Sequence, residues 1–270
     1  YNEVYADDNH GNIYYTPETI QKYLSGEDPD LYPNVNWLEE MYKDITTNQR
    51  INLNISGGGK MVRYYVGGSI YRENGIFNAN SNEEYNPSMY YTKYNFRSNI
   101  DIDLTSSTVV NINLSTQYDN KNQPHADDND GTSKIWSSSF TLIPIAFPQM
   151  YSDGTLAAAK SVVNPYNLLN KTGYQQIFHN NAQALIGITQ DIGKLWSPLE
   201  GLSANIKFSW DAVHSSTIKR TKSPNTYFAT GRDSEGNLEY TTVSEGSDYL
   251  SLSNVNSGSR TTYLEASATY

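Results

Sequence analysis

From residue 50 onward, this 270-residue chain alternates apolar and polar side chains in short runs. In "RINLNIS", Ile51, Leu53 and Ile55 share one parity, and Asn52, Asn54 and Ser56 the other. Ile100, Ile102 and Leu104 stand likewise against Asn99, Asp101 and Asp103, and Val110, Ile112 and Leu114 against Asn111, Asn113 and Ser115. Further on, Leu202, Ala204, Ile206, Phe208 and Trp210 interleave with Asn205, Lys207, Ser209 and Asp211. Successive side chains of a strand point to opposite faces, so each run predicts a strand with one oily and one wet face.

Residues 1–49 have a different period. "TPETIQKYLSG" sets Thr16 at an N-cap, Pro17 at the first helical position and Gly26 just past the end, with Ile20, Tyr23 and Leu24 on one side. "NWLEEMYKDI" sets Asn36 at a cap with Glu39 three residues on, and Leu38, Met41, Tyr42 and Ile45 on one side. Both predict short helices. A third helix is expected in "TSKIWSSSFTLIP", where Ile135, Trp136, Ser139, Phe140 and Ile143 share a face before Pro144.

Connectors also alternate. Short turns at 57–60, 105–107 and 192–201 are interleaved with long links at about 74–90, 119–174 and within 212–260. This describes a meander whose two ends meet different surroundings. Two architectures satisfy it. In a soluble sandwich the oily faces pack together and the wet faces meet water. In a membrane barrel the oily faces meet lipid and the wet faces line a lumen. Wet faces rich in Asn and Asp suit a crowded, hydrated interior, and aromatics near strand ends (Tyr71, Phe77, Tyr90, Tyr91, Tyr94, Phe96) suit an interfacial girdle.

Composition narrows the classes. A formal net charge of −10 disfavours a nucleic-acid partner, and the absence of cysteine excludes disulfides and thiolate metal sites. No run approaches the roughly 18 apolar residues of a transmembrane helix, which says nothing about a barrel. The 23 tyrosines against 7 phenylalanines favour surfaces that are part wet and part greasy.

Chemical motifs mostly fail. "SGGGK" lacks the phosphate-loop pattern, since Asn54 and Met61 occupy the positions of its first Gly and its Ser or Thr. "DDNDG" does not fit an EF-hand, with Ala126 and Ser137 at its first and twelfth positions, though Asp127, Asp128 and Asp130 leave a looser calcium loop open. The four His are scattered, and no metal, cofactor or catalytic role is assigned. Trp37, Trp136, Tyr151 and Tyr166 lie in the segments expected to face outward, where rings either stack on a ligand or pin their own loop.

"GEDPDLYPNVNWLEEMYK", "QRINLNISGGGKMVRYYVGGSIYRENGIF", "KYNFRSNIDIDLT", "AFPQMYSDGTLA", "NPYNLLNKTGY" and "GLSANIKFSWD" follow one another over about residues 1–211. Together they resemble the SusC/RagA family of TonB-dependent outer-membrane transporters of Bacteroidota. The remainder, 212–270, is similar only in style. The resemblance implies a 22-stranded barrel in the cell outer membrane, plugged by an N-terminal domain. It also implies a SusD-like lipoprotein lid, TonB-driven import of oligosaccharides or peptides, and no enzyme activity.

No plug-like stretch, TonB box or closing strand is found. The expected fold is therefore all-β: a partial, antiparallel up-and-down transmembrane β-barrel of about seven or eight strands over residues 50–270. Residues 1–49 are then an extracellular segment with two short helices, and about 119–174 a long extracellular loop. Asn52, Asn54, Asp101, Asp103, Asn111 and Asn113 would face the lumen and contact the plug, which carries the link to TonB. Trp37, Trp136, Tyr151 and Tyr166 would be candidates for cargo or lid contact, with outer-membrane lipid around the wall. The competing class is a soluble or lipid-anchored surface glycan-binding β-protein.

Overall fold

A computed structural model describes residues 15–80, 84–125 and 132–270. Seven strands form one antiparallel sheet: β1 (Asn48–Gly58), β2 (Val62–Asn74), β3 (Tyr90–Asp103), β4 (Thr108–Pro124), β5 (Gly173–Asp191), β6 (Ser203–Ser223) and β9 (Ser247–Thr269). Each pairs with its neighbour in chain order, except that a two-stranded ribbon, β7 (Thr226–Arg232) with β8 (Leu238–Ser244), occupies the link between β6 and β9. The three short turns fall where the alternation breaks, at 59–61, 104–107 and 192–202. The long links are shorter than expected at one place: β4 continues to Pro124, so that loop spans 125–172 rather than 119–174.

The register decides the faces. Asn54, Gly67, Arg97, Ser115, Gln183, Asp211 and Thr261 lie side by side across the seven strands. The adjacent row on the other face is Ile55, Val66, Ser98, Leu114, Ala184, Trp210 and Thr262. All six residues expected in the lumen share the polar face. The oily face is not covered by a second layer of protein: Ile51, Leu53 and Ile55 are 67%, 69% and 57% exposed. Leu114, Ile186, Ile206, Phe208 and Leu264 are likewise open. A sandwich would bury these side chains, so the sheet has no apolar core of its own.

The oily band runs obliquely across the sheet. The register carries Leu53, the centre of the band on β1, through to Arg260 on β9, but the centre on β9 is Ala266, six residues further along. A drift of about one residue per strand corresponds to a strand tilt of roughly 35° from the band's normal, as in a membrane barrel. The strands lengthen from 11 residues in β1 to 23 in β9. Since about 9–11 residues cross a bilayer, the later strands project well past the band on the side of the long links.

The apolar core lies in those links. Trp37, Met41, Phe77, Ile135, Phe147, Tyr151, Ala157, Leu169 and Ala229 pack together, and every one comes from outside the seven-stranded sheet. Four short helices frame this cap: α1 (Pro17–Ser25), α2 (Trp37–Met41), α3 (Ser133–Thr141) and α4 (Pro165–Asn170). The caps expected for the first two are present, with the Thr16 and Asn36 side chains accepting from the backbone N–H of Thr19 and Glu39.

Helix faces differ from expectation. α2 ends after five residues and buries Trp37 and Met41, one turn apart, while Leu38 and Ile45 are exposed. In α3 the expected stripe splits: Ile135 and Ser139 turn into the core, and Trp136, Phe140 and Ile143 stay open. The girdle also differs. Tyr71 and Tyr91 meet on the polar face and Phe77 is buried in the cap, whereas Tyr94, Tyr118 and Phe178 touch in sequence on the oily face.

Gly173, the first residue of β5, holds φ 101°, and a Cβ there would overlap the carbonyl oxygen of Arg220 on β6. Gly154 has φ 89° with open space around it. Gly154→Ala is therefore expected to cost about 1–2 kcal/mol from its backbone alone, and Gly173→Ala at least about 3 kcal/mol, since the strand pair must also separate. Thermal denaturation of the two variants in detergent compares them, and equal shifts contradict the close approach.

Candidate functional site

Two surfaces carry the polar chemistry: the wet face of the sheet and the cap. On the wet face several charged groups are already engaged by neighbours. Arg63 makes a two-pronged contact with Asp103 across β2 and β3, and Asn111 Nδ2 donates to Asp101 Oδ1 at 2.6 Å. Asp119 accepts from Tyr91 Oη and Gln117 Nε2, both at 2.9 Å, and Lys207 lies 3.6 Å from Glu265. Between these groups lies a shallow concavity lined by Asn52, Asn54, Asn95, Gln117, Asn181 and Gln183. Its only charged lining groups are Arg50 and Arg97. Gly67 opens its floor beside the Tyr65 hydroxyl, which a Cβ there would approach to 3.0 Å. The face offers amides, hydroxyls and two guanidinium groups to whatever fills the concave side.

In the cap, segments far apart in the chain are tied by charge. The Arg232 guanidinium donates to Asp28 through Nε at 2.7 Å and Nη2 at 2.8 Å, and reaches Asp30 Oδ2 at 3.0 Å. Asp30 in turn accepts from the Ser152 backbone N–H at 2.9 Å and its hydroxyl at 2.6 Å. One guanidinium thus joins the link before α2, the turn after α3 and the ribbon β7–β8. Hydrogen bonding to Arg232 holds the Asp28 carboxyl below the usual carboxylate range. Beside it, Tyr151 Oη accepts from the Ala229 backbone N–H at 2.8 Å, and Tyr240 Oη donates to Asp153 at 2.7 Å. Burial, then the Asp153 carboxylate, push the Tyr240 phenol up to about 12.

The four aromatic candidates part company here. Trp37 and Tyr151 are 3% and 2% exposed, so neither ring has a free face for a ligand within this fold. Trp37 packs edge-on against Phe147, and Tyr151 packs on Tyr240. Both pin loops, because each lies where three chain segments converge. Trp136 is 38% exposed and stacks parallel to Phe140, which is 64% exposed. Tyr42 and Phe77 support this pair from beneath. Tyr166 is half-buried. Asp127, Asp128 and Asp130 lie outside the described residues.

Phe140, Arg97 and the Asp28–Arg232 contact were not singled out by sequence reasoning. Phe140 carried a signal, sharing a turn with Trp136. Asp28 and Arg232 are 204 residues apart, and nothing local announces their pairing.

By sequence, no protein-family model and no curated protein matches the chain. In fold it is similar to a chain of the RagAB peptide importer in its open-open state, with a TM-score of 0.56 at 13% identity. That likeness covers 99% of this chain and 36% of the other. The same importer in its closed-closed state gives a TM-score of 0.49 at 17% identity, covering 73% of this chain and 22% of that one. This chain therefore spans about a third or less of the length of the structures it resembles. Its antiparallel seven-stranded sheet and short helices match part of a RagA-type barrel.

Because the folded Asp28 carboxyl sits below its unfolded value, its contribution to cap docking is complete above about pH 4 and fades as pH falls through the folded value. In Arg232→Gln the carboxylates of Asp28 and Asp30 lose their counter-charge. Limited proteolysis of the 224–246 link is expected to begin only in strong acid for the unaltered protein, but already at pH 7 for the variant. Identical profiles would show that the ion pair does not hold the cap.

Proposed function

We propose that this chain forms wall and mouth of an outer-membrane, TonB-dependent importer of oligosaccharides or peptides. The wet face lines the lumen and contacts a plug domain supplied by a longer chain. The cap faces outward, toward cargo and a SusD-like lipoprotein lid. Energy coupling and closure of the barrel belong to parts outside these residues. The observation that carries this reading is solvent inversion: an oily face without a protein partner, opposite a face of amides, hydroxyls and paired charges. The fold likeness to a barrel of the peptide importer supports it. Peptide cargo, named for that protein, comes to this one as one of two classes that an aromatic and amide surface suits.

The chain has no cysteine, so an introduced thiol within it is unique. Leu114→Cys and Ile206→Cys, on the oily face, are expected to resist charged maleimides in vesicles and to be relaxed by oxygen when spin-labelled. Asn113→Cys and Ser209→Cys, on the wet face, are expected to show greater reactivity with the aqueous reagent. Rapid aqueous labelling of all four, in a protein extracted without detergent, would instead favour the surface glycan-binding class.

The open Trp136–Phe140 stack is the part of the cap best placed for cargo or lid. Phe140→Ala removes little buried area, so stability should stay within about 0.5 kcal/mol. Equilibrium binding of cargo or lid to the full-length protein should weaken several-fold. Unchanged affinity removes the stack from this role.

A further inference from the structure

Acids and bases are divided unequally between the two faces of the sheet. Among its register-paired residues, the acids Glu73, Asp101, Asp103, Asp119, Asp191, Asp211 and Glu265 all lie on the wet face. Among the same register-paired residues the oily face carries Arg72, Arg220 and Arg260 and no acid, in a chain whose net charge is −10. Neither Arg72 nor Arg260 makes a side-chain hydrogen bond or ion pair within the described residues, and both are exposed.

Their heights agree once the tilt of the band is followed. On β2 the band runs from Val62 to Ile70 about Val66, and Arg72 stands six residues toward the cap. On β6 it runs from Ala204 to Ala212 about Phe208, and His214 stands six residues toward the cap. On β9 the centre is Ala266, and Arg260 again stands six residues toward the cap. Six residues on a strand tilted by roughly 35° rise about 17 Å, just past the half-thickness of a hydrocarbon core. Arg220, a further six residues up β6 from His214, stands above that level.

Two of the three groups share a notch. His214 is paired with Gly258, and Arg260 is two residues along the same strand, so imidazole and guanidinium are diagonal neighbours on one face. Gly258 presents no side chain there; a Cβ would stand 3.2 Å from the Val213 carbonyl oxygen and 3.7 Å from His214 Nδ1. A planar fork of N–H donors and a ring N–H beside a residue without a side chain suit an anionic oxygen cluster.

We propose that the notch of His214, Gly258 and Arg260, together with Arg72 at the same height, binds the anionic phosphate headgroups of lipids in the leaflet nearest the cap. Resting on the barrel reading above, the site explains why the register-paired charges of the oily face are all cationic and why three of its basic groups form one rim. Long basic side chains reach from such a position into the headgroup layer, where anionic lipid is available. The site faces away from the lumen and is separate from the surfaces assigned to plug, cargo and lid.

The test uses the full-length protein reconstituted in phosphatidylcholine vesicles with or without phosphatidylglycerol. Flotation reports insertion, and native mass spectrometry of the extracted protein reports which lipid it retains. The unaltered protein should float with both vesicles and retain phosphatidylglycerol in preference to phosphatidylcholine. Arg260→Gln should lower that preference roughly fivefold, and pairing it with His214→Gln or Arg72→Gln should lower it further. Arg260→Lys should keep most of it. Arg97→Gln, on the opposite face, should leave it unchanged.

Flotation without a preference for the acidic lipid, or an equal loss in Arg97→Gln, overturns the headgroup site and leaves the barrel intact. Displacement of the lipid by low concentrations of inorganic phosphate would show a free-anion site and overturn the lipid assignment. A protein that floats with neither vesicle overturns the barrel reading itself.

Discussion

A sheet one layer thick must find an apolar medium for its oily face, and this constraint orders the whole molecule. Seven strands satisfy one another's backbone groups by lateral pairing, yet Ile51, Leu53, Leu114 and Phe208 touch no second layer of protein. In water such a continuous apolar surface marks a contact with a partner or a lipid phase. In hydrocarbon it costs nothing, and lateral hydrogen bonding becomes obligatory because no water is present to replace it. The outer edges of β1 and β9 then need partners of their own. A closed barrel supplies them, and this chain spans about a third of the open-open importer chain whose barrel it resembles.

The constraint also explains why, among the described residues, the apolar core lies in the links. Freed from packing duty, the strands lengthen past the band and hold loops clear of it. Those loops, surrounded by water, must bury their own apolar groups, and they do so around Trp37, Phe77, Ile135, Phe147 and Tyr151. Asp28, Asp30 and Arg232 lock three of their segments at the rim of that core. Chemistry on the wet face is different in kind. It is broad, shallow and largely self-satisfied, with Arg50 and Arg97 as the two charged groups of its central concavity. That suits a wall against which something else is seated.

Much of this was legible in the chain because strand alternation is a local signal. The parity of Asn52, Asp101 and Asn111 survives in the structure, since one slipped residue would exchange every oily and wet side chain. The turns at 59–61 and 104–107 followed from breaks in that alternation. Aromatic placement was less legible, because a tyrosine tolerates either face: Tyr71 and Tyr91 lie on the wet face while Tyr94 and Tyr118 lie on the oily one. The cap resisted most. Whether Trp37 meets a ligand or Phe147 is set by residues 110 positions away, and Asp28 gives no local hint of Arg232. Short helices compound the difficulty, as five residues of α2 leave its buried side to the neighbours rather than to its own periodicity.

The membrane reading proposed above also accounts for the partition of charge. A carboxylate directed toward the lipid would have neither water nor a counter-ion within reach, and its short side chain cannot climb to the interface. On the wet face it finds partners: Asp103 has the Arg63 guanidinium, and Asp119 accepts hydrogen bonds from Tyr91 and Gln117. Arginine is less restricted, because its long stem crosses apolar surface while the guanidinium stays hydrated at the rim. Arg72 and Arg260 stand where that escape is possible, at the same distance above the middle of the band on strands five positions apart in the sheet. A sandwich, with water over both outer faces, gives no reason to keep the paired acids off one face or to set Arg72 and Arg260 at one level; an interface between hydrocarbon and phosphate gives both.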